Sequence, residues 1–115
     1  YMQGGRKKMK ISIATDFSRT PGARHASEGK YSGDEFRDNI LYPKYYEAKE
    51  KNEKLVVNLD GCYGYATSFL EESFGGLVRK IKKRGILDDI VIESEEDESL
   101  IELIQQYVRD AESKL

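Results

Sequence analysis

The apolar positions along the chain come in short clusters, and their period switches between two and about three and a half residues. Residues 10–17 alternate, with Ile11 and Ile13 on one side, and predict a strand at a sheet edge. Residues 18–33 have no period, are rich in Ser, Gly and Arg and contain Pro21, so they predict a long loop. A short strand around residues 24–30 would turn that loop into a hairpin with the first strand. Ser32-Gly33-Asp34-Glu35 has capping-box spacing, and Phe36, Ile40 and Leu41 follow at helical spacing. Pro43 predicts a kink in that helix, or the first turn of its second half, before Tyr45, Tyr46 and Ala48 continue its apolar side.

Residues 55–60, Leu-Val-Val-Asn-Leu-Asp, form a compact apolar run and predict a central, buried strand. Ser68-Phe69-Leu70-Glu71 repeats the capping-box spacing and predicts a helix starting at Ser68. Phe69, Leu70, Phe74, Leu77, Val78 and Ile81 would line its inner side, and Gly85 would stop it after Lys80, Lys82, Lys83 and Arg84. Residues 89–93 predict another strand. Leu100, Ile101, Leu103, Ile104, Tyr107, Val108 and Ala111 give a final helix a broad apolar stripe.

The order of elements is β, loop or hairpin, α, β, α, β, α. Such alternation predicts an α/β sandwich with at least part of its sheet parallel, and right-handed crossovers put the helices mainly on one face. With 115 residues the chain fits one domain. Residues 1–5 open on Tyr1 and are set aside as a cloning remnant, which leaves 6–115 as the domain.

Charge narrows the function classes. Nineteen basic residues against 21 acidic ones give a net charge of -2, which offers no footprint for nucleic acid. Arg6, Lys7, Lys8 and Lys10 make a basic start, and Glu93, Glu95, Glu96, Asp97 and Glu98 make an acidic run, both read as solvated surface. The apolar runs are too short to span a membrane. One cysteine and no secretory pattern point to a reducing cytoplasm.

Catalysis finds little support. His25 and Cys62 are the single members of their types, and no spacing joins them, or Asp16, into a nucleophilic or hydrolytic set. No pair of His or Cys has metal-ligand spacing, so the expectation is a non-enzymatic module without metal or cofactor. Gly61-Cys62-Tyr63-Gly64 lies between a strand and a helix, but the dinucleotide and P-loop patterns are absent.

Thr67 and Ser68 stand where that helix begins. Ser68 either caps the helix with Thr67 packed beside it, or one hydroxyl accepts a phosphate that docks or repels a partner. Tyr63, Tyr65, Phe69, Glu71 and Glu72 are then the candidate partner surface. A second reading places an anionic ligand, such as a nucleotide, between the helix N-terminus and a loop carrying Arg19, Arg24, His25, Ser32 and Gly33. Gly75-Gly76 inside a helix implies that another element or a partner approaches closely, with internal packing favoured.

Several of these residues resemble a known family. Leu59-Asp60-Gly61 through Leu70 resembles the STAS domain of bacterial anti-sigma-factor antagonists, with Ala66-Thr67-Ser68-Phe69-Leu70 on its Asp-Ser-Ser-Gly-Leu type motif. Thr67 falls on that family's phosphoacceptor position and Ser68 on the neighbouring hydroxyl. Ala66 and Phe69 stand where the motif has an acidic residue and a glycine. A closer resemblance is to the small STAS-like family of unknown function, through Gly22-Ala23-Arg24, Ser32-Gly33-Asp34-Glu35-Phe36 and the run from Ser68 to Gly75. It covers roughly residues 16–81. The resemblance implies a small mixed sheet of about four strands with helices. It also implies a regulatory role and a protein partner among histidine-kinase-like ATPases acting as anti-sigma or signalling kinases. Oligomerisation stays open.

Overall fold

Three strands, β1 (Lys8–Ser12), β2 (Lys54–Asn58) and β3 (Ile90–Glu93), lie in that order in a computed structural model that describes residues 6–115. The expectation for residues 1–5 falls outside the described residues. Every pairing is parallel, with Lys8 opposite Lys54, Ser12 opposite Asn58, Leu55 opposite Ile90 and Asn58 opposite Glu93. Among the described residues the sheet therefore has three parallel strands, where a mixed sheet of about four was expected.

The two faces of the sheet differ as the side-chain period of two requires. Ile11, Leu55, Val57, Leu59, Ile90 and Ile92 join the helices in one core. The alternate positions Lys8, Lys10, Lys54, Asn58 and Glu93 point to the opposite face. There Lys10 Nζ and Glu93 Oε1 meet at 3.1 Å, spanning from one edge strand to the other. That bridge crosses β2 and helps keep Val56 buried. Both crossovers run in the same direction across the sheet, so right-handed connections place their helices on the core face.

β1 ends sooner than its alternation predicts. The Ser12 hydroxyl accepts from the Thr15 N–H at 3.2 Å, and the Asp16 carboxylate accepts from the Ser12 N–H at 2.7 Å. These bonds turn the chain into the short helix α1 (Ile13–Asp16). The following loop forms no fourth strand. Its two ends bond to each other: Gly22 N–H to Tyr31 O at 2.7 Å, Gly33 N–H to Ala23 O at 2.8 Å, and Asp34 N–H to Arg24 O at 3.1 Å. The tip holds a single 3-10 turn, Ala26–Glu28. A Cβ on Gly22 would sit 2.3 Å from the Lys30 carbonyl oxygen, so only glycine fits that approach.

α2 is continuous through Gly33–Phe36, Arg37–Leu41 and Tyr42–Glu50. Its Ser32 capping box forms as expected, with Ser32 N–H donating to Glu35 Oε1 at 3.0 Å. The middle turn is widened to π geometry, and Tyr42 N–H reaches back to Arg37 O. Pro43 lacks an N–H and crowds the carbonyl four residues back, and the wide turn just ahead of it makes room.

α3 runs through Thr67–Leu70, Glu71–Gly75 and Gly76–Ile81, and it is widened in the same way at Glu71–Gly75. It ends at Lys82 in the left-handed conformation (φ 57°), before the expected stop at Gly85. α4 (Ser99–Glu112) packs Ile104, Val108 and Ala111 into the core. Among the described residues no helix is long and apolar enough to cross a membrane.

Candidate functional site

α2 and α3 cross with their widened turns together, and glycine makes that crossing possible. A Cβ on Gly33 would lie 2.8 Å from the Phe69 carbonyl oxygen and 2.9 Å from Glu72 Cβ. A Cβ on Gly76 would lie 2.7 Å from the Arg37 guanidinium. The Ser73 hydroxyl donates to Phe69 O at 2.8 Å and sits 3.4 Å from Gly33 O. Phe36 stacks near Phe69 at 5.9 Å between ring centroids, and Phe17 lies 5.4 Å from Phe36. At Gly76 a Cβ would meet only the ends of the Arg37 and Glu72 side chains, so the backbone approach of the two helices is fixed by Gly33. Gly75 instead makes room for its own helix, because a Cβ there would meet Glu71 Oε2 at 2.5 Å.

Charge closes the crossing. Glu72 is 8% exposed and accepts from Arg24 at 3.0 Å and from Arg37. Arg37 also donates to the Glu72 carbonyl oxygen at 3.4 Å. Glu71 accepts from Arg24 at 2.6 Å and from Arg79 at 2.7 Å and 3.0 Å. Hydrogen bonds from Arg79 and then Arg24 hold the Glu71 carboxyl down at about 2, against the opposing effect of its burial. Arg37 also donates to Asp38 at 2.8 Å and 3.2 Å, so three carboxylates and three guanidiniums form one network, which satisfies charges that would be costly to bury alone.

This network revises several expected roles. Phe69 is fully buried and Glu72 nearly so, so neither offers a partner surface. Glu71 is committed to Arg24 and Arg79. Arg24 is committed to both carboxylates, and Ser32 and Gly33 are buried at the start of α2. His25 is exposed and its Nδ1 lies 3.6 Å from Asp34 Oδ2. Arg19 is exposed and donates to Gly61 O at 3.4 Å, while its own carbonyl accepts from Tyr63 N–H at 2.9 Å. The loop does lie over the β2–α3 junction, as the anion-site reading requires. It does so with Arg24 spent on two carboxylates and Arg19 on a carbonyl, so the predicted arginines assemble no open cradle for an anion.

The junction itself is built from polar cross-links. The Asp60 carboxylate accepts from the N–H groups of Glu95 at 3.2 Å and Glu96 at 3.0 Å, and the Glu96 carboxylate accepts from Gly61 N–H at 3.0 Å. The turns after β2 and β3 therefore hold each other. Tyr65 donates to Leu59 O at 2.7 Å and lies 3.0 Å from Cys62 Sγ. Burial, and then the Cys62 thiol, push the Tyr65 phenol well above its usual range. Burial likewise raises the Cys62 thiol, which keeps it a neutral, weakly reactive group. The His25 ring faces Asp34 at the start of α2, while Cys62 contacts Ser18 O and Tyr65.

What remains open to solvent is the outer lip of the junction. Tyr63 is 86% exposed, and Gly64, Ala66 and Thr67 are exposed with it. α3 begins at Thr67 with Ala66 as its N-cap and no side-chain cap, so the expected Ser68 capping box does not form. Thr67 is the first helical residue and Ser68 the second, and neither hydroxyl has a hydrogen-bond partner among the described residues. Sequence reasoning missed Arg37, Arg79 and Glu96. Their partners lie 35 residues away for Arg37 and Glu96, and eight for Arg79, and no short-range spacing announces such pairs.

A family model described as STAS-like domain of unknown function (DUF4325) matches residues 32–100, which span α2, β2, α3 and β3. No curated protein and no solved structure matches the chain.

Proposed function

The chain belongs to the STAS-like domain family of unknown function, and on that premise we propose that it is a non-catalytic regulatory module. In this reading it binds a protein partner through the Tyr63–Thr67 lip and the start of α3. Phosphorylation of Thr67, or of Ser68 beside it, switches the interaction. A histidine-kinase-like ATPase fits both roles, as the partner and as the source of the phosphate.

One observation carries the proposal. Thr67 is exposed at the first position of a helix whose N-terminus lacks a side-chain cap. Free N–H groups and the positive end of the helix dipole favour a phosphate there, so modification adds close to two negative charges without costing the fold. The surface seen by a partner changes while the core beneath it does not. The anionic-ligand reading lacks a comparable support, because Arg24 is already paired with Glu71 and Glu72.

The test is incubation with histidine-kinase-like ATPases of the same genome and ATP, followed by mass spectrometry and a binding assay. Phosphate on Thr67 or Ser68, and altered binding by Thr67→Glu, are expected. Unmodified hydroxyls together with unchanged binding by Thr67→Glu would overturn the switch.

A further inference from the structure

The outer edge of β1 is the open edge of the sheet on the α2 side. Lys7 O accepts from Lys54 N–H, so in this parallel ladder the backbone groups of residues 7, 9 and 11 face β2. Those of Lys8, Lys10 and Ser12 therefore face outward. The Ser12 N–H is taken by Asp16, which closes the edge at its C-terminal end. Lys8 and Lys10 keep outward donors and acceptors with no partner among the described residues.

Beside this edge lies a cleft of about 300 Å³ between β1 and α2. Ile11, Ile40 and Pro43 give it an apolar floor, and Lys10 and Lys44 stand at its rim with Asp16 at one end. An open strand edge next to a side-chain cleft is the arrangement by which domains capture an extended peptide as an added strand.

We propose that β1 and α2 form a docking groove for an extended, acidic segment of a partner protein. The segment adds a strand to β1, seats an apolar side chain on Ile40 and Pro43, and places carboxylates near Lys8 and near Lys10 and Lys44, which exchange their exposed pairs with Glu93 and Glu47 for them. Charge selects this occupant over a second copy of the chain. Two β1 edges brought together would set Lys8 and Lys10 against their own counterparts, and like charges across a strand pair destabilise it. The groove involves neither Thr67 nor the lip, so it stands or falls independently of the phosphorylation switch.

The probe is a short acetylated peptide alternating valine and glutamate, with the valine–lysine peptide as its charge-reversed control. In the free chain, amide exchange at Lys8 and Lys10 is expected to be fast while Met9 and Ile11 are protected. Adding the acidic peptide should slow Lys8 and Lys10 and shift the resonances of Ile40 and Lys44. Lys8→Pro, at the first residue of the strand, removes an outward N–H and spares both the ladder to β2 and the Lys10–Glu93 bridge, so it should fold normally and weaken binding by about tenfold. Lys44→Glu, on a helix surface, should weaken binding without touching the strand. Equal binding of the lysine peptide, full binding by both variants, no response to the acidic peptide, or protection of Lys8 and Lys10 already in the free chain would each overturn the proposal.

Discussion

Arg37 and Glu72 join α2 to α3 at the point where both helices are widened, side chain to side chain and side chain to backbone. Removing the carboxylate leaves Arg24 with Glu71 and Arg37 with Asp38, and cuts the link between the two helices. Glu72→Ala is expected to cost about 1.5–3 kcal/mol, the range for losing hydrogen bonds to charged groups. Urea unfolding followed by circular dichroism measures it. Glu72→Gln should recover part of the loss, since it still accepts one hydrogen bond.

Glycine at the crossing is equally restrictive. Gly33→Ala would drive a methyl group against the Phe69 carbonyl and Glu72 Cβ, both held by α3. Overpacking of this kind costs about 1–3 kcal/mol. Gly29, where a Cβ meets nothing within 4 Å, is the control, and Gly29→Ala should leave the unfolding midpoint nearly unchanged.

Glu71 sets an acid limit. Its carboxyl is held at about 2 in the folded chain, below the ordinary value of 4.5. A depressed carboxyl contributes stability that is fully present above the unfolded value. That contribution fades as pH falls from about 4.5 toward about 2. Glu71→Gln should therefore lose stability at neutral pH and show a shallower decline through that window. Unfolding curves at a series of pH values give the slope directly.

The start of α3 can be improved. Ala66 occupies the N-cap without a side-chain bond. Ala66→Asp should stabilise the fold by about 1 kcal/mol by accepting from an N–H of the first turn. Ser68→Ala should be close to neutral, because Ser68 is the second helical residue and no cap. Thermal melts of the two variants separate this placement from the alternative in which the helix starts at Ser68.

How far the chain could be read depended on the distance over which each feature is decided. The buried strand through Leu55 and Val57, the strand at Ile90–Glu93, the Ser32 capping box and the stripe of α4 are local patterns, and they appear where periodicity places them. The features that read differently are settled by competition. Ser12 and Asp16 bend the chain out of a strand that Ile11 and Ile13 alone would continue. Ala66 lies in extended conformation just ahead of Thr67, so the cap falls two residues before Ser68. Glu71 and Glu72 look like a polar helix surface until Arg24 arrives from a loop far earlier in the chain. The resemblance motifs follow the same logic. Gly22 to Arg24, Ser32 to Phe36 and Ser68 to Gly75 meet at one helix crossing, so much of what makes them recognisable serves the fold.

The purely parallel sheet also orders events during synthesis. Lys8 has no strand to pair with until Lys54 has left the ribosome, and Leu55 waits in turn for Ile90. α2 emerges between these strands with its cap intact, yet its crossing with α3 cannot close until Glu72 is available to Arg37. Residues 8–50 are thus, as they emerge, a helix tethered to an unpaired strand, and they join a compact body only after β2 and α3 are both outside the exit tunnel. Pulling-force or proteolysis measurements on stalled nascent chains should show a single late step, placed after α3, in place of gradual gain from the N-terminus.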